Sequence, residues 1–233
     1  MINPDLIILG VTWFIVFLFS TTLHEAAHAL AAYRLGDPTA YHGGQVSLNP
    51  IPHIQREPWG MVLVPILSFA LTQNWMMGWA SAPYDPLWAH RHPRRAALMA
   101  LAGPAANLLL VLLAGIGIRI GVSTGAFEVP ESVGFTHLFA AHGGATGFVV
   151  PLSILFSLNL LLVLFNLLPL PPLDGSAILP MFMSDGLARS YHNVIGNPSF
   201  SFLGLLVAWR LFGYVYGPVY RWAIDLLYRG MLG

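Results

Sequence analysis

Two histidines and a glutamate stand close together in an otherwise apolar stretch of the chain. They are His24, Glu25 and His28, in the run Leu23-His24-Glu25-Ala26-Ala27-His28. Residues four apart on a helix lie on the same face, so both imidazoles could bind one metal ion. Glu25 is next to them and could accept a proton from water that such a metal activates. Ionisable groups are costly inside an apolar segment, which favours this interpretation over one in which the histidines only satisfy backbone groups.

A third candidate ligand follows a proline-rich run at the end of a later apolar segment. Asp174 comes directly after Pro169-Leu170-Pro171-Pro172-Leu173, and prolines end a helix and leave backbone groups unpaired. A catalytic zinc ion takes three protein ligands and keeps one position open. The chain has no cysteine, so any metal must be held by nitrogen and oxygen atoms. Asp174 is therefore the best candidate for the third ligand of one Zn²⁺ ion.

The composition is that of an integral membrane protein. Hydrophobic residues make up 56% of the chain and charged residues only 9%, whereas soluble domains have about 25% charged residues. The formal net charge is zero and lysine is missing. Nothing in this charge distribution indicates a nucleic-acid partner or a polybasic membrane anchor.

Four apolar segments carry the candidate ligands or separate them. Segments A to D cover about residues 5–33, 61–80, 96–120 and 147–168. Segments A, C and D are long enough to cross a bilayer as helices. Segment B is interrupted by polar residues, glycine and proline, which suits backbone that is buried in protein or lines a cavity.

The positions of the ligands constrain the topology. His24 and His28 lie toward the end of segment A and Asp174 lies just after segment D, so A and D must run in the same direction for the three to meet. With segment C as one crossing, segment B must enter and return on the same side. Arginines flank B on both sides, and by the positive-inside rule this side is cytoplasmic. We therefore expect the N-terminus outside and the metal near the cytoplasmic leaflet.

The predicted fold is an all-α polytopic membrane protein. It has a three-helix catalytic core, a re-entrant segment, a short β-hairpin near residues 45–52 and C-terminal helices. We expect residues 1–180 to form the membrane-embedded core and residues 181–233 to form interfacial and transmembrane helices. In the second part, an interfacial helix or loop at 181–197 and one span at 200–216 precede an interfacial helix at 218–232, because Arg210, Arg221 and Arg229 are hard to bury.

The histidine and aspartate motifs together resemble the paired signature of the site-2 protease family of intramembrane zinc metalloproteases. The first motif is His24-Glu25-Ala26-Ala27-His28, and the second runs from Phe165 to Gly175. Asn49-Pro50 with His53, Gly78-Trp79-Ala80 and Ala102-Gly103-Pro104-Ala105-Ala106-Asn107 extend the likeness, which covers about residues 10–180. The pair of motifs at this separation is very specific.

The resemblance implies a role for each motif residue. In the family it resembles, His24, His28 and Asp174 would hold the zinc and Glu25 would be the general base. The substrate-binding positions that it implies are Asn166, Asn107 and Pro172. Asn166 would help to position the substrate backbone or the oxyanion, whereas for Asn107 the residues alone leave helix packing equally open.

Three positions depart from the pattern common in this family. The aspartate motif continues as Asp174-Gly175-Ser176-Ala177 rather than Asp-Gly-Gly-Arg, Gln55 replaces an acidic residue, and Ser81 replaces a basic one. None of these changes removes a proposed ligand or the base. We expect them to affect how the ligands and the substrate are positioned.

By this resemblance, the protein hydrolyses a peptide bond in or near a transmembrane helix of a membrane-protein substrate. We expect a multi-pass protein in a prokaryotic cell membrane, with its active site toward the cytoplasm. Its partners are then the substrate, the lipid bilayer and either a regulatory membrane partner or a second copy of the chain, with no nucleic acid. The alternatives are an inactive family member that acts as a membrane adaptor, and a metal-ion transporter.

Overall fold

The computed structural model describes residues 3–196 and 198–229. Its helices are α1 (Pro4–Leu35), α2 (Thr39–His42), α3 (Pro50–Arg56), α4 (Val64–Thr72), α5 (Pro86–Arg91), α6 (Pro93–Ser123), α7 (Val149–Asn166), α8 (Asp174–Ile178), α9 (Asp185–Ile195) and α10 (Pro198–Tyr228). A π-helical turn, Trp59–Leu63, precedes α4, and 3₁₀ turns occupy Gly143–Phe148 and Leu179–Phe182. Among the described residues, α1, α6, α7 with its preceding 3₁₀ turn, and α10 are long and apolar enough to cross a membrane.

Helix α1 begins and ends where its sequence predicts. The Asn3 side chain accepts a hydrogen bond from the backbone N–H of Asp5, and Pro4 occupies the first turn, where a missing N–H costs nothing. At the other end Gly36 has φ 105°, a left-handed conformation that glycine adopts without strain, and its N–H donates to the Tyr33 carbonyl. The 32 residues between these caps form one uninterrupted helix.

Helices α1, α6 and α7 form the centre of the fold, and α1 and α7 run in the same direction. Along α1, His24 contacts Asn107 of α6 and His28 contacts the earlier Met99, so α1 and α6 are antiparallel. Asn107 also contacts Asn159 of α7, and Gly115 lies beside Phe156, so α6 and α7 are antiparallel as well. The direction required by the candidate ligands is therefore confirmed.

The segment between α3 and α5 runs along α1 and returns to the end where it started. Phe69 of α4 lies against Gly10, near the beginning of α1. The chain then turns back, and the N–H of Asp85 donates to the Asp37 carboxylate, just beyond the end of α1, at 2.8 Å. Segment B thus enters and returns at the same end of the helix bundle, as its interruptions predict, and its position in the membrane stays a prediction. Its first part is helical, in the π-helical turn and α4, and residues 75–85 are neither helix nor strand.

Polar side chains hold the two ends of the re-entrant segment together. The Ser81 hydroxyl donates to Glu57 Oε1 at 2.5 Å, and Arg56 Nε donates to the same hydroxyl at 3.2 Å. Ser81 is one of the positions that depart from the family pattern. In this chain it joins the return stretch to the end of α3.

The short β-hairpin near residues 45–52 is not confirmed. Residues 46–48 form a bend, and among the described residues the structure has isolated β-bridges but no strand. The reason is local: Asn49 caps α3 by accepting a hydrogen bond from Ile51 N, and Pro50 fits the first helical position. These residues start a helix where the sequence predicts a short hairpin.

The C-terminal part differs from its prediction in one respect. Positions 200–216 and 218–228 belong to one helix, α10, and Pro218 does not interrupt it; residues 230–232 of the predicted interfacial helix lie outside the described residues. Arg210 and Arg221 are exposed on α10 and are not packed inside the protein. Near its end, α10 packs on α6 and α7 through Leu227 and Tyr228. The other predicted interfacial element, a helix or loop at 181–197, contains the helix α9, and residue 197 lies outside the described residues. Its place at the membrane interface and the division near residue 180 stay predictions.

Candidate active site

Three ligand atoms from two distant parts of the chain converge between the central helices. Nε2 of His24 and Nε2 of His28 lie 3.2 Å and 3.4 Å from Oδ2 of Asp174, and 2.9 Å from each other. A tetrahedral zinc ion with bonds of about 2.0–2.1 Å holds its ligands about 3.3 Å apart. His24, His28 and Asp174 form the single group of at least three potential metal ligands found among the described residues. Their spacing fits one zinc ion.

Both imidazoles direct Nε2, with its lone pair, toward the place where the three ligand atoms meet. His28 Nδ1 donates to the carbonyl of Met99 at 2.8 Å, and His24 Nδ1 is bonded to the amide oxygen of Asn107. A ring nitrogen that donates to an oxygen carries the proton, which leaves a lone pair on Nε2 of each ring for a metal. Both histidines are buried, with 7% and 5% of their surface exposed.

Asp174 reaches the histidines because the chain turns sharply after α7. The proline-rich run ends the helix, and Asp174 then opens the short helix α8. A Cβ atom on the next residue, Gly175, would lie 2.4 Å from the carbonyl oxygens of Leu167 and Leu168, so only glycine allows this turn. Steric exclusion of any side chain therefore explains why the residue after Asp174 is a glycine.

The Asp174 carboxylate has the properties of a metal ligand. Its Oδ2 is buried and has no hydrogen-bond donor in the described part of the chain. A buried carboxylate oxygen without a hydrogen-bond donor is an atom that a divalent cation stabilises.

Gly103 of α6 borders the point where the three ligand atoms meet. A Cβ atom on Gly103 would lie 2.3 Å from Nε2 of His28 and 2.5 Å from Nε2 of His24. The space that a metal would need is therefore bounded by a residue without a side chain. Sequence reasoning placed Gly103 in a family-like run and gave it no role, since only the packing of α6 on α1 reveals the contact.

The remaining predicted site residues have different environments. Glu25 is buried, with 6% of its surface exposed, next to His24 on α1. Asn107 is fully buried and bonded to His24, as a residue that orients the imidazole would be. Asn166 is the last residue of α7 and half-buried, and Pro172 is exposed in the turn before Asp174. Substrate binding by Asn166, Asn107 and Pro172 stays a prediction.

Comparison with known proteins agrees with this geometry. The model of the peptidase family M50, the site-2 protease family, matches residues 12–206. The chain belongs to peptidase family M50. The match spans α1 to the first turns of α10 and therefore includes all three candidate ligands.

Two curated M50 relatives show how far the similarity extends. The chain is 36% identical over 206 residues to "Putative zinc metalloprotease YwhC" of Bacillus subtilis, covering 88% of this chain and 84% of that protein. It is 31% identical over 209 residues to "Putative zinc metalloprotease Rip2" of Mycobacterium tuberculosis H37Rv, covering 90% of this chain and 71% of that protein. No solved structure matches the chain significantly. With four membrane-length helices, this M50 chain is a multi-pass membrane protein of a metalloprotease family.

Proposed function

We propose that this protein is a zinc-dependent endopeptidase that cleaves a peptide bond in or near a transmembrane helix of another membrane protein. The observation that carries the proposal is the convergence of His24, His28 and Asp174 between membrane-length helices. The names of the M50 relatives support a zinc protease.

In this proposal His24, His28 and Asp174 hold one zinc ion. Zinc bound there would supply Lewis acidity, which polarises a peptide carbonyl and makes water more acidic. Glu25 is the general base: it takes a proton from the attacking water and gives it to the leaving amine. Its burial on α1 keeps the carboxylate out of bulk water, which strengthens its interaction with a nearby proton.

The substrate must change conformation before it can react. Peptide groups inside a helix are bonded to each other, so a transmembrane substrate has to unwind locally to offer a carbonyl. The irregular return stretch, residues 75–85, lies next to α1, since a Cβ atom on Gly78 would touch Phe17. We propose that this stretch lines the route of the unwound substrate and pairs with its backbone. Asn166 and Pro172 would contact the substrate near the aspartate.

A transporter would need several metal sites along a path through the membrane. The described residues contain one compact group of three ligands, so a transport path has no structural support here. An inactive membrane adaptor would keep the same group without cleaving anything. The difference between a protease and an adaptor is therefore one of activity.

Replacing Glu25 with glutamine separates these functions. Glu25→Gln keeps the three ligands and removes the base, so we expect the purified variant to retain one zinc ion per chain while proteolysis falls by about two to four orders of magnitude. Zinc content is measured by elemental analysis. Cleavage is measured by comparing which membrane proteins accumulate uncut in cells that carry Glu25→Gln and in cells that carry the unchanged protein.

The matched control is Glu131→Gln, an exposed carboxylate in the loop between α6 and α7. It removes the same charge away from the ligands and should leave both zinc content and cleavage unchanged. If the protein is an adaptor, cells that carry Glu25→Gln and cells that carry the unchanged protein should contain the same membrane proteins. If both variants retain zinc and Glu25→Gln still cleaves normally, Glu25 is not the base.

A further inference from the structure

Three buried polar side chains, one from each central helix, form a network beside the candidate zinc site. Ser20 of α1, Asn107 of α6 and Asn159 of α7 are all fully buried. Amides at membrane depth are costly unless every polar atom has a partner. In both amides of this network the nitrogen donates hydrogen bonds and the oxygen accepts one. The donors and acceptors therefore follow one another in a fixed order from α7 to His24.

The first hydrogen bond of this chain ends at a backbone carbonyl of α7, which fixes the orientation of the Asn159 amide. Asn159 Nδ2 donates to the carbonyl oxygen of Leu155 at 2.7 Å and to Ser20 Oγ at 2.9 Å. A carbonyl oxygen can only accept, so the nitrogen of the Asn159 amide must face Leu155. The oxygen of the same amide then faces Asn107, and Asn107 Nδ2 donates to it at 2.7 Å.

A second backbone carbonyl orients the next amide and, through it, the imidazole. Asn107 Nδ2 also approaches the carbonyl of Ser20 at 3.4 Å, again an atom that only accepts. The Asn107 oxygen must therefore face His24, and it bonds His24 Nδ1. An amide oxygen cannot donate, so His24 carries its proton on Nδ1 and keeps the lone pair of Nε2 for a metal.

His28 needs no such network. Its Nδ1 donates directly to the Met99 carbonyl at 2.8 Å, and a backbone carbonyl cannot rotate to present a donor. The side-chain amide of Asn107 can rotate, and if it did its NH₂ group would face His24 and move the imidazole proton to Nε2. The two histidines are thus oriented by different means, and only His24 depends on a second residue to hold its partner.

We propose that Asn159 is a positioning residue that sets the tautomer of His24 through Asn107, and thereby the affinity of the site for zinc. The proposal rests on the proposed function, because it takes His24 to be a zinc ligand. Asn159 touches neither His24 nor Asp174 in the described contacts. Its effect on the metal is exerted through the orientation of one amide.

The competing explanation is that Ser20, Asn107 and Asn159 simply join three helices. Buried polar residues do join transmembrane helices through interhelical hydrogen bonds. In that case, replacing Asn159 would lower stability and leave the zinc affinity of the folded protein unchanged. Zinc affinity therefore distinguishes the two explanations, and stability does not.

The experiment measures zinc affinity of the purified full-length protein in detergent, by competition with a chromophoric chelator. Asn159→Leu removes the nearer of the two acceptors that orient the Asn107 amide, at 2.7 Å against 3.4 Å for the Ser20 carbonyl, and we expect zinc to bind about 10-fold to 100-fold more weakly. Asn159→Ala removes the same amide without adding bulk and is measured in parallel, in case the leucine variant does not fold. Asn159→Asp, with a neutral carboxyl that donates to Leu155 and accepts from Asn107, should restore affinity to within about twofold of the unchanged protein.

Two further comparisons make the test specific. Once Asn107→Leu has removed the His24 partner, adding Asn159→Leu should change zinc affinity by less than about twofold, since nothing remains to be oriented. The matched control is Ser157→Ala, which removes a fully buried hydroxyl of the same helix that bonds Tyr220 instead of the network. Its zinc affinity should equal that of the unchanged protein.

The results separate this inference from the proposed function. If the unchanged protein and Glu25→Gln bind zinc, and Asn159→Leu and Asn159→Ala bind it equally well, Asn159 does not position His24 while the zinc site stands. Additive effects of the Asn107 and Asn159 substitutions would also overturn the inference. If the unchanged protein binds no zinc, the inference and the proposed function are both wrong.

Discussion

Gly103 is the residue whose size most directly limits the candidate metal site. It belongs to α6, and its missing side chain leaves the space into which the Nε2 atoms of His24 and His28 point. The same residue allows α6 to approach α1 closely at the level of the ligands. One position therefore serves both helix packing and the volume available to an ion.

We predict that Gly103→Ala abolishes zinc binding or weakens it by at least about tenfold. The added methyl group would lie within 2.5 Å of both Nε2 atoms, so the imidazoles must move away from each other or from Asp174. Zinc content after purification and affinity by chelator competition measure the effect. Gly117→Ala on the same helix is the control, because its Cβ atom would meet only Leu152 at 3.9 Å. Full zinc occupancy in Gly103→Ala would mean that the ion does not lie between these histidines.

Asp37 is a buried carboxylate outside the membrane-spanning helices. It accepts hydrogen bonds from the Thr39 backbone at 3.0 Å, the Thr39 hydroxyl at 2.5 Å and the Asp85 backbone at 2.8 Å. Burial opposes ionisation, but these donors outweigh it and lower the pKa of Asp37. The carboxylate thereby joins the end of α1 to the end of the re-entrant segment.

We predict that Asp37 makes stability dependent on pH in the acid range. Because its pKa is lower in the folded state, the unfolded chain binds the proton first as the pH falls, and the stabilisation is lost below about pH 4. Thermal unfolding in detergent, followed from pH 7 to pH 3, measures this loss. Asp37→Asn should be less stable at pH 7, by about 1–3 kcal/mol, and should lose less stability on acidification. Parallel acid curves for both proteins would contradict the assignment.

At the scale of elements, the re-entrant segment depends on a close approach between its two arms. Trp79 N donates to the carbonyl of Gly60 at 3.1 Å, which joins the return stretch to the π-helical turn. A Cβ atom on Gly78 would lie 2.2 Å from the same carbonyl and 2.5 Å from Phe17 of α1. The return stretch therefore packs against the π-helical turn and α1 at a position where only glycine fits.

We predict that Gly78→Ala displaces the return stretch without affecting the zinc ligands. Overpacking at such a site costs about 1–3 kcal/mol, so thermal stability should fall while zinc content stays at one ion per chain. Cleavage should fall as well, since the proposed substrate route is displaced. Gly144→Ala is the control, because its Cβ atom would meet open space. Normal cleavage in a destabilised Gly78→Ala protein would argue against a role of this stretch in substrate binding.

At the scale of the whole molecule, the fold has two ends with different charges. Arg34, Arg56 and the arginines at 91, 94 and 95 lie at the end where α1 finishes and α6 begins. From the positive-inside rule we expect this end, and with it the candidate zinc site, on the cytoplasmic side. The loop between α6 and α7 is then on the opposite side.

The chain has no cysteine, so single introduced cysteines can report this orientation without background. Gln55 and Ser132 are exposed residues at the two ends. We predict that a membrane-impermeant maleimide labels Ser132→Cys in intact cells and labels Gln55→Cys only after the membrane is permeabilised. Both variants should be labelled equally in detergent, which controls for reactivity. The reverse pattern in intact cells would place the active site on the outer side.

The sequence by itself determined the class of protein, the candidate ligands and the relative direction of the first and last core helices. Each of these follows from a local or countable property. Apolar segments of membrane length must be helices, histidines four apart on a helix share a face, and three ligands can meet only if the helices that carry them run the same way. The histidine motif also predicted Glu25 as the general base, and the family resemblance predicted the substrate positions; these roles stay predictions.

Tertiary structure decided which other residues support the site. Gly103, Asn159 and the Met99 carbonyl have no recognisable spacing to the ligands, because their importance arises from how α6 and α7 pack on α1. The predicted hairpin at 45–52 was unsupported for a related reason: the Asn49 cap and Pro50 favour a helix start over strand pairing that needs a partner. Contacts between distant segments carry no periodic signal in the chain, so only the packed structure reveals them.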